Sequence, residues 1–434
     1  MKKLFFGGVH PKYNKEMSTK NDSLKTVVPK RVVIPMQQHI GAPCVPLVQV
    51  GDVVKCGQKI GDAEGLCVPV HASVSGTVVG IEEMPHPTLG KVLAVVIEND
   101  LQGDCVKGEL PNSPDEILQA IREAGIIGMG GAAFPSNVKA MSAMGNVDTL
   151  IANGCECEPY ITADDTLLRT NPEQVLEGMK ILGSIIKPQR IVLAIEDNKP
   201  EAIESVKAIL NSYPEIELKI LPTRYPQGSE KQLVQAVTGR EIPPGKLPVA
   251  VQCAVFNVST FAAIYVAVRT GKAVTRRIVT VTGEGVANPQ NFMVPIGTSF
   301  RDLLEAAGGL KENAERVLSG GPMMGFAQTD LEAPVVKATN AVLCLPKDQN
   351  AETENSVCLR CGKCVGVCPM RLQPLYIHRY VNAQHLEQAE RLAQLERLHV
   401  MDCMECGSCS FTCPGKLSLV ESCRKGKKML KEGK

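Results

Sequence analysis

Cys358-x2-Cys361-x2-Cys364-x3-Cys368-Pro369 recurs some thirty-five residues later as Cys403-x2-Cys406-x2-Cys409-x3-Cys413-Pro414. Three thiolates on one tight loop can wrap three corners of an iron–sulfur cube. The fourth must come from chain beyond a turn, and the proline sets the direction in which it leaves. Two such runs call for two [4Fe–4S] clusters and a small unit folded around them. The repeat implies crossed ligation: Cys358, Cys361, Cys364 and Cys413 for one cluster, Cys403, Cys406, Cys409 and Cys368 for the other. All-cysteine zinc sites also use CxxC pairs, but four cysteines at this spacing closed by proline, twice, favour iron. Such clusters pass single electrons, so a tandem pair is a relay that needs a donor and an acceptor.

Nine of the seventeen cysteines fall in the last eighty residues, a crowding that fits metal ligation in a reducing compartment better than a disulfide framework. Cys44, Cys56, Cys67, Cys105, Cys253, Cys344 and Cys423 lie outside any ligand spacing and read as small, mainly buried apolar residues. Cys155 and Cys157 have CxC spacing without histidine partners and read as unligated. His71 and His378 are lone histidines without a ligand role. With 47 Lys+Arg against 46 Asp+Glu, no sequence-wide field exists to hold nucleic acid. The opening MKKLFFGGVHPKYNKE lacks the apolar core of a secretion signal, and no run of eighteen apolar residues occurs, so a membrane role must come through partners.

At roughly 150 residues per domain, 434 residues allow about three domains or more. Residues 1–30 are polar and aperiodic and read as an arm. Over 31–100, apolar runs at 32–34, 46–50, 68–70, 77–79 and 92–97 alternate with Gly, Pro and Asp turns, the pattern of a small β-barrel or sandwich. Its strings resemble the lipoyl/biotinyl-like half-barrels, but the tip reads His71-Ala72-Ser73-Val74-Ser75 without a lysine, which implies a structural barrel and no swinging arm. Over 101–275 strands and helices alternate, including helices at 114–124 and 200–212 and strands at 149–152, 191–195 and 218–221, so an α/β layer with a largely parallel sheet is expected. Residues 276–349 read as a β-grasp unit: strands at 277–282 and 291–295, then a short helix capped by Ser299 and ended by Gly308-Gly309. The two-cluster unit occupies 350–423, with an amphipathic helix marked by Leu386, Ala389, Leu392, Leu395 and Leu398, and 424–434 reads as a basic tail. The expected fold class is thus a multidomain α/β and α+β chain.

One further string carries chemistry. Gly125-Ile126-Ile127-Gly128-Met129-Gly130-Gly131-Ala132-Ala133-Phe134-Pro135-x3-Lys139 packs glycines so that backbone N–H groups can approach a phosphate, and Lys139 adds a point charge. It is neither GxGxxG opening a βαβ unit nor a Walker sequence.

This string resembles the GxGGAGFPxxxKW loop of the flavin-bearing, NADH-oxidising subunit of respiratory complex I and related hydrogenases. Asn153-Gly154-Cys155-Glu156-Cys157-Glu158-Pro159, Gln227-Gly228-Ser229-Glu230 and Phe256-Asn257-Val258-Ser259-Thr260 are similar, in order, to that family's later motifs. Phe5-Phe6-Gly7-Gly8-Val9-His10-Pro11 with Lys15, and the order half-barrel, flavin domain, β-grasp, twin-cluster domain, resemble the RnfC component of the Rnf complexes, membrane-associated ferredoxin:NAD oxidoreductases that move ions. The resemblance covers nearly the whole chain. It implies a barrel-sandwich N-terminal domain, an α/β FMN/NADH-binding domain, an SLBB-like β-grasp domain and a ferredoxin-type C-terminal domain.

The resemblance further implies non-covalent FMN and NAD(H). Gly128, Gly130 and Gly131 would permit close approach, Lys139 would meet the FMN phosphate, and Asn153, Asn257 and Thr260 would supply hydrogen bonds. Phe134 would stack on nicotinamide or adenine, and Glu156, Glu158 and Glu230 would line the flavin and dinucleotide site. Cys155, Cys157 and Ser229 depart from the family's Asp, Gly and Glu. FMN joins paired to single electron transfer, so hydride exchange with NAD needs placement rather than a protein acid or base. Partners implied are the integral and peripheral Rnf subunits at the cytoplasmic face of the membrane, which move Na+ or H+, with ferredoxin reached through another subunit. Corrinoid reductases of the propanediol type share the last three parts but usually begin near the flavin loop. A passive electron conduit without nucleotide binding is the third reading.

Overall fold

Short valine- and isoleucine-rich runs separated by tight turns close on one another in the first domain. The structure, a computed structural model, describes residues 5–19, 24–347 and 356–432. Arg31–Pro35, Gly90–Asn99, Gly76–His86 and Val53–Val54 form one antiparallel sheet, and Val45–Pro46, Lys59–Asp62 and Val70–His71 a second. Val32, Ile34, Val54, Ile60, Val70, Val78, Val95 and Ile97 fill the space between them, as alternation on half-buried strands requires. The tip that carries a swinging lysine in lipoyl-like barrels is here buried: Ala72, Ser73 and Ser75 have almost no exposure, and the Ser73 hydroxyl donates to the Ile296 carbonyl of the β-grasp unit. Burial, then the nearby Lys337 charge, push the His71 imidazole down to about 3, so it stays neutral.

The central layer is a four-stranded, wholly parallel sheet in the order Ile216–Leu221, Arg190–Glu196, Thr149–Gly154, Cys253–Asn257. Its strands are nearly continuous apolar runs because helices cover both faces. Pro172–Ile186 and Val258–Thr270 pack so closely that a Cβ on Gly178 would stand 2.0 Å from the Phe261 carbonyl oxygen. Helix Pro114–Glu123 starts where Ser113 accepts a bond from the Glu116 N–H, with proline in its first turn.

The β-grasp unit builds a mixed sheet from Gln290–Pro295, Arg276–Thr282, Ala341–Pro346, Ala314–Ser319 and Phe326–Gln328, under helix Phe300–Ala306, whose cap Ser299 accepts from the Asp302 N–H at 3.0 Å. In the cysteine-rich unit the sequence repeat is also a backbone repeat. Arg360 and Gly362 have left-handed φ of 53° and 72°, and Glu405 and Gly407 have 59° and 76°, each pair leading into a one-turn helix, Lys363–Gly366 or Ser408–Phe411. Gln388–Arg397 forms the amphipathic helix, with Leu395 buried.

Two expectations are corrected. Residues 5–19 and 24–30 are not a free arm: Phe5 and Val9 are buried, Val9 and Tyr225 exchange two backbone bonds, and Lys25–Thr26 adds a parallel strand beside Gln290–Pro295. Their packing surface comes from three other units, so it leaves no local periodicity. The basic tail is the end of helix Leu419–Glu432, which buries Cys423 and Leu430 while Lys427 pairs with Glu405 at 2.7 Å. The expected start of the cluster unit at 350, and residues 433–434, lie outside the described residues.

Candidate redox site

In the parallel sheet the first strand, Thr149–Gly154, lies between the second, Arg190–Glu196, and the last, Cys253–Asn257, so the chain order reverses between Thr149–Gly154 and Cys253–Asn257. Such a switch point leaves a crevice beyond the strand C-termini, where open α/β sheets take their ligands. Asn153 and Asn257 stand directly opposite one another there. Asn257 also caps helix Val258–Thr270, accepting from the Ser259 N–H at 2.9 Å, so the positive end of a thirteen-residue helix faces the crevice.

The glycine-rich loop lies over this point. It is closed by an Ile127–Pro135 bridge and by the Gly128 N–H donating to the Phe134 carbonyl at 2.8 Å. Thr260, fully buried, accepts from the Met129 N–H at 3.0 Å and donates to the Ile127 carbonyl, tying the loop to the helix. A Cβ on Gly130 would stand 3.2 Å from the Asn257 Cβ, while Gly131, at φ +115°, meets nothing within 4 Å. Among the described residues the N–H groups of Gly130, Gly131 and Ala132 have no protein acceptor. Exposed amides, a helix N-terminus and two amide side chains at one crevice fit a phosphate-bearing mononucleotide such as FMN. At the rim, Lys139 pairs with Glu230 at 2.7 Å, with its ammonium 5.3 Å from the Phe256 ring centre. Phe134 is half-buried at the end of the loop.

Behind the two asparagines lies a support that sequence reasoning missed. Asp164 accepts from Asn257 Nδ2 and from the Ser259 hydroxyl, both at 2.6 Å. Its own N–H and that of Asp165 donate to the two oxygens of Glu156, at 2.9 and 3.3 Å, at the start of helix Ala163–Thr170. Only the acidic pair Asp164-Asp165 in that first turn offered a sequence signal. Beneath, Glu196 and Lys199 form an almost wholly buried pair at 3.0 Å, and Lys15 donates to the carbonyls of Glu158 and Ile161.

Burial, opposed by Lys15, pushes the Glu156 carboxyl up to about 7. Below the ordinary carboxyl value of 4.5 folded and unfolded chains both hold this proton. Above it the unfolded chain releases the proton first, so stability falls as pH rises toward about 7 and then levels off. Glu156→Gln is expected to remove this decline, which is on the order of 3 kcal/mol. Hydrogen exchange of the central strands in urea, from pH 5 to 8, measures it, and an unchanged slope would count against the reading.

Glu158 departs from the role that the resemblance implies. Its carboxylate accepts from the N–H groups of Met323 and Met324 at 2.8 and 2.9 Å, bracing the β-grasp unit. The departures Cys155, Cys157 and Ser229 also have local partners. Cys155 donates its N–H to Asn153 Oδ1, Cys157 Sγ accepts from the Gly228 N–H, and Ser229 Oγ lies 3.7 Å from Met404 Sδ. Burial pushes both thiols well above the ordinary range, so they remain protonated.

The eight clustered cysteines line two cavities. Cys358, Cys361, Cys364 and Cys413 surround an empty volume of about 360 Å³, and Cys368, Cys403, Cys406 and Cys409 surround one of about 350 Å³. The runs therefore exchange their fourth cysteines, and each donor set suits an iron–sulfur cube. Cys358 and Cys361 are exposed, whereas Cys368, Cys406 and Cys409 are buried. A fifth thiol, Cys423, lines the second cavity, and its hydrogen bond draws the Cys403 thiol down to about 7. Its spacing gave no sign of this.

The second cavity adjoins the central layer. The Tyr225 hydroxyl donates to the Cys406 carbonyl at 2.6 Å, and Cys157, Tyr225, Cys406 and Val9 share one apolar cluster. Gly7 and Gly8 explain the N-terminal motif: the Gly8 N–H donates to the Val367 carbonyl at 2.8 Å, and a Cβ on Gly7 would meet that oxygen at 2.7 Å.

A mononucleotide crevice joined through one seam to two cysteine-lined cavities defines a flavin and iron–sulfur electron-transfer protein. Family models match along the chain: the RnfC barrel sandwich hybrid domain over 3–102, the Nuo51 FMN-binding domain over 121–266, the SLBB domain over 278–327 and the 4Fe-4S dicluster domain over 351–414. The chain is 42% identical, over 98% of its length and 96% of the relative's, to the RnfC subunit of the Na+-translocating ferredoxin:NAD+ oxidoreductase complex of Acetobacterium woodii. It is 43% identical to the corresponding subunit of the proton-translocating ferredoxin:NAD+ oxidoreductase complex of Clostridium ljungdahlii, over 86% of this chain and 83% of that one. The chain belongs to the RnfC family of the ion-translocating ferredoxin:NAD+ oxidoreductase complexes. An NAD+-reducing [NiFe]-hydrogenase structure superposes with a TM-score of 0.50 at 21% identity, covering 74% of this chain and 62% of that one, a likeness of fold.

Proposed function

We propose that this chain exchanges electrons between NAD(H) and two [4Fe–4S] clusters through non-covalently bound FMN, as a peripheral subunit of an ion-translocating ferredoxin:NAD+ oxidoreductase complex. The observation that carries the reading is the pairing of Asn153 with Asn257 beneath the glycine loop, on the layer whose Tyr225 touches the Cys406 loop. When bound, FMN accepts a hydride as an electron pair and releases electrons singly. The free N–H groups of Gly130, Gly131 and Ala132 and the Lys139 ammonium hold its phosphate, with Gly128 shaping the loop. Asn153 and Asn257 orient it, and Thr260 and Asp164 keep loop and asparagine in place. Phe134 offers a face for nicotinamide or adenine, while Glu230 and Glu156 set the charge around the site. No side chain need move a proton for hydride transfer.

Cys157, Gly228 and Tyr225 support a route from this crevice to the buried cluster of Cys368, Cys403, Cys406 and Cys409. The exposed site of Cys358, Cys361, Cys364 and Cys413 then serves as the outlet to a partner. No described helix is long and apolar enough to cross a membrane. Attachment at the cytoplasmic face through integral partners that move Na+ or H+, with ferredoxin reached through another subunit, follows from the family and completes the reading. Anaerobic purification should give one FMN and about eight irons per chain, and NADH should bleach both chromophores. Intact clusters in a chain that neither binds flavin nor responds to NADH would sink the proposal.

A further inference from the structure

The barrel holds a second constellation of metal-ligating side chains that the redox site does not use. His39, Cys44 and Cys67 are each under 5% exposed, and their ligand atoms lie within 4.8 Å of one another. Cys44 Sγ is 3.5 Å from Cys67 Sγ, and Cys67 Sγ is 3.5 Å from His39 Nε2. The Val68 carbonyl oxygen closes the group, 3.2 Å from His39 Nε2, 3.4 Å from Cys44 Sγ and 3.6 Å from Cys67 Sγ. A tetrahedral d10 cation, with bonds of about 2.3 Å to sulfur and about 2.0–2.1 Å to nitrogen, sets ligand-to-ligand edges of roughly 3.3–3.8 Å. The five measured edges span 3.2–3.6 Å.

The histidine tautomer agrees. Nδ1 lies 3.3 Å from the Ile40 carbonyl and the Val68 N–H points at Nε2 from 3.3 Å, a pattern satisfied when the proton sits on Nδ1 and Nε2 keeps its lone pair. That lone pair then faces the Val68 carbonyl oxygen, a repulsive contact that a cation between them relieves. Lys337, wholly buried, donates to the carbonyls of Pro69 and Gly125, and no described carboxylate lies within ion-pair range of it. Two thiolates in the adjoining pocket would balance its charge.

We infer that His39, Cys44 and Cys67, with the Val68 carbonyl, form a buried site for one thiophilic d10 cation, Zn2+ or Cu+. Binding replaces two thiol protons, which leave to solvent, by two metal–sulfur bonds and involves no change of oxidation state. The site staples the 39–44 segment to 67–68. The same segment braces the glycine loop, since the Ile40 N–H donates to the Ala133 carbonyl at 3.0 Å. The inference stands apart from the redox reading, because neither the flavin crevice nor the cluster cysteines take part.

The test uses the full chain, purified anaerobically with its clusters, with metals counted by mass spectrometry and zinc and copper K-edge absorption spectra recorded. The expected result is one zinc or copper per chain, with two sulfurs at about 2.3 Å and one nitrogen at about 2.0–2.1 Å. The element found decides which cation it is. Cys44→Ala combined with Cys67→Ala should lose that metal and keep about eight irons. Should that variant not fold, the wild-type spectrum still decides: zinc trapped in a cluster loop would show four sulfurs and a shortfall of iron. Substoichiometric zinc and copper, an all-sulfur shell, metal retained by the double variant, or a Cys44–Cys67 disulfide in alkylation-quenched protein would each overturn the site.

Discussion

Cys409→Ala is expected to abolish reduction of both clusters by NADH, whereas Cys361→Ala should leave one cluster reducible. Cys409 lines the buried cavity whose loop Tyr225 touches through the Cys406 carbonyl, and Cys361 lines the exposed cavity on the far side of the unit. If electrons enter through the Cys157–Tyr225 seam, the buried cluster is first in line and the exposed one depends on it. Each variant should lose about four of about eight irons. Bound FMN and NADH:ferricyanide activity should persist in both, because neither cysteine reaches the crevice. Electron paramagnetic resonance after NADH addition separates the cases: a signal from one cluster in Cys361→Ala and none in Cys409→Ala. The reverse pattern would refute the order.

The second large effect concerns the glycine loop. Gly130 has no left-handed φ, so space rather than backbone freedom demands glycine there: its Cβ would already press on the Asn257 side chain at 3.2–3.5 Å. Gly130→Val would fill the crevice and displace Asn257, and FMN retention should collapse. Lys139→Ala removes a charge-assisted contact worth about 1.5–3 kcal/mol and should weaken FMN about 10- to 150-fold. It also leaves Glu230 without its ion-pair partner, adding repulsion toward a phosphate. Fluorescence titration of deflavinated protein measures both, with iron content as the control for folding. Unchanged FMN affinity in both variants would remove the loop from the site.

Much of the candidate site was legible because its residues sit in short strings. The glycine loop, Asn153, Asn257 and Thr260 each occupy a recognisable stretch, and the central strands announce themselves as apolar runs between turns. Asp164 was not legible, since its role depends on a helix start meeting another strand's end. Glu158 read as a ligand because it lies two residues from Glu156, yet its carboxylate is committed to Met323 and Met324, more than 160 residues away. The N-terminal segment lacked any period because its partners are the Tyr225 loop, the Cys368 loop and the edge strand Gln290–Pro295. Cys423 and the His39–Cys44–Cys67 group likewise have no local spacing to read.

Covalent spacing alone determined that two cubes are carried and which cysteines line each site, because ligands on one loop must match the corners of a cluster whatever surrounds it. The alternation of strand and helix likewise determined a parallel layer with its ligand crevice at the strand ends. Which cavity faces that crevice, which acid supports the asparagine pair and which distant thiols meet around one histidine were decided by tertiary structure alone. These depend on long-range packing of surfaces, such as the Tyr225–Cys406 seam and the Val9–Tyr225 bridge, whose partners are chosen by shape and burial rather than by position along the chain.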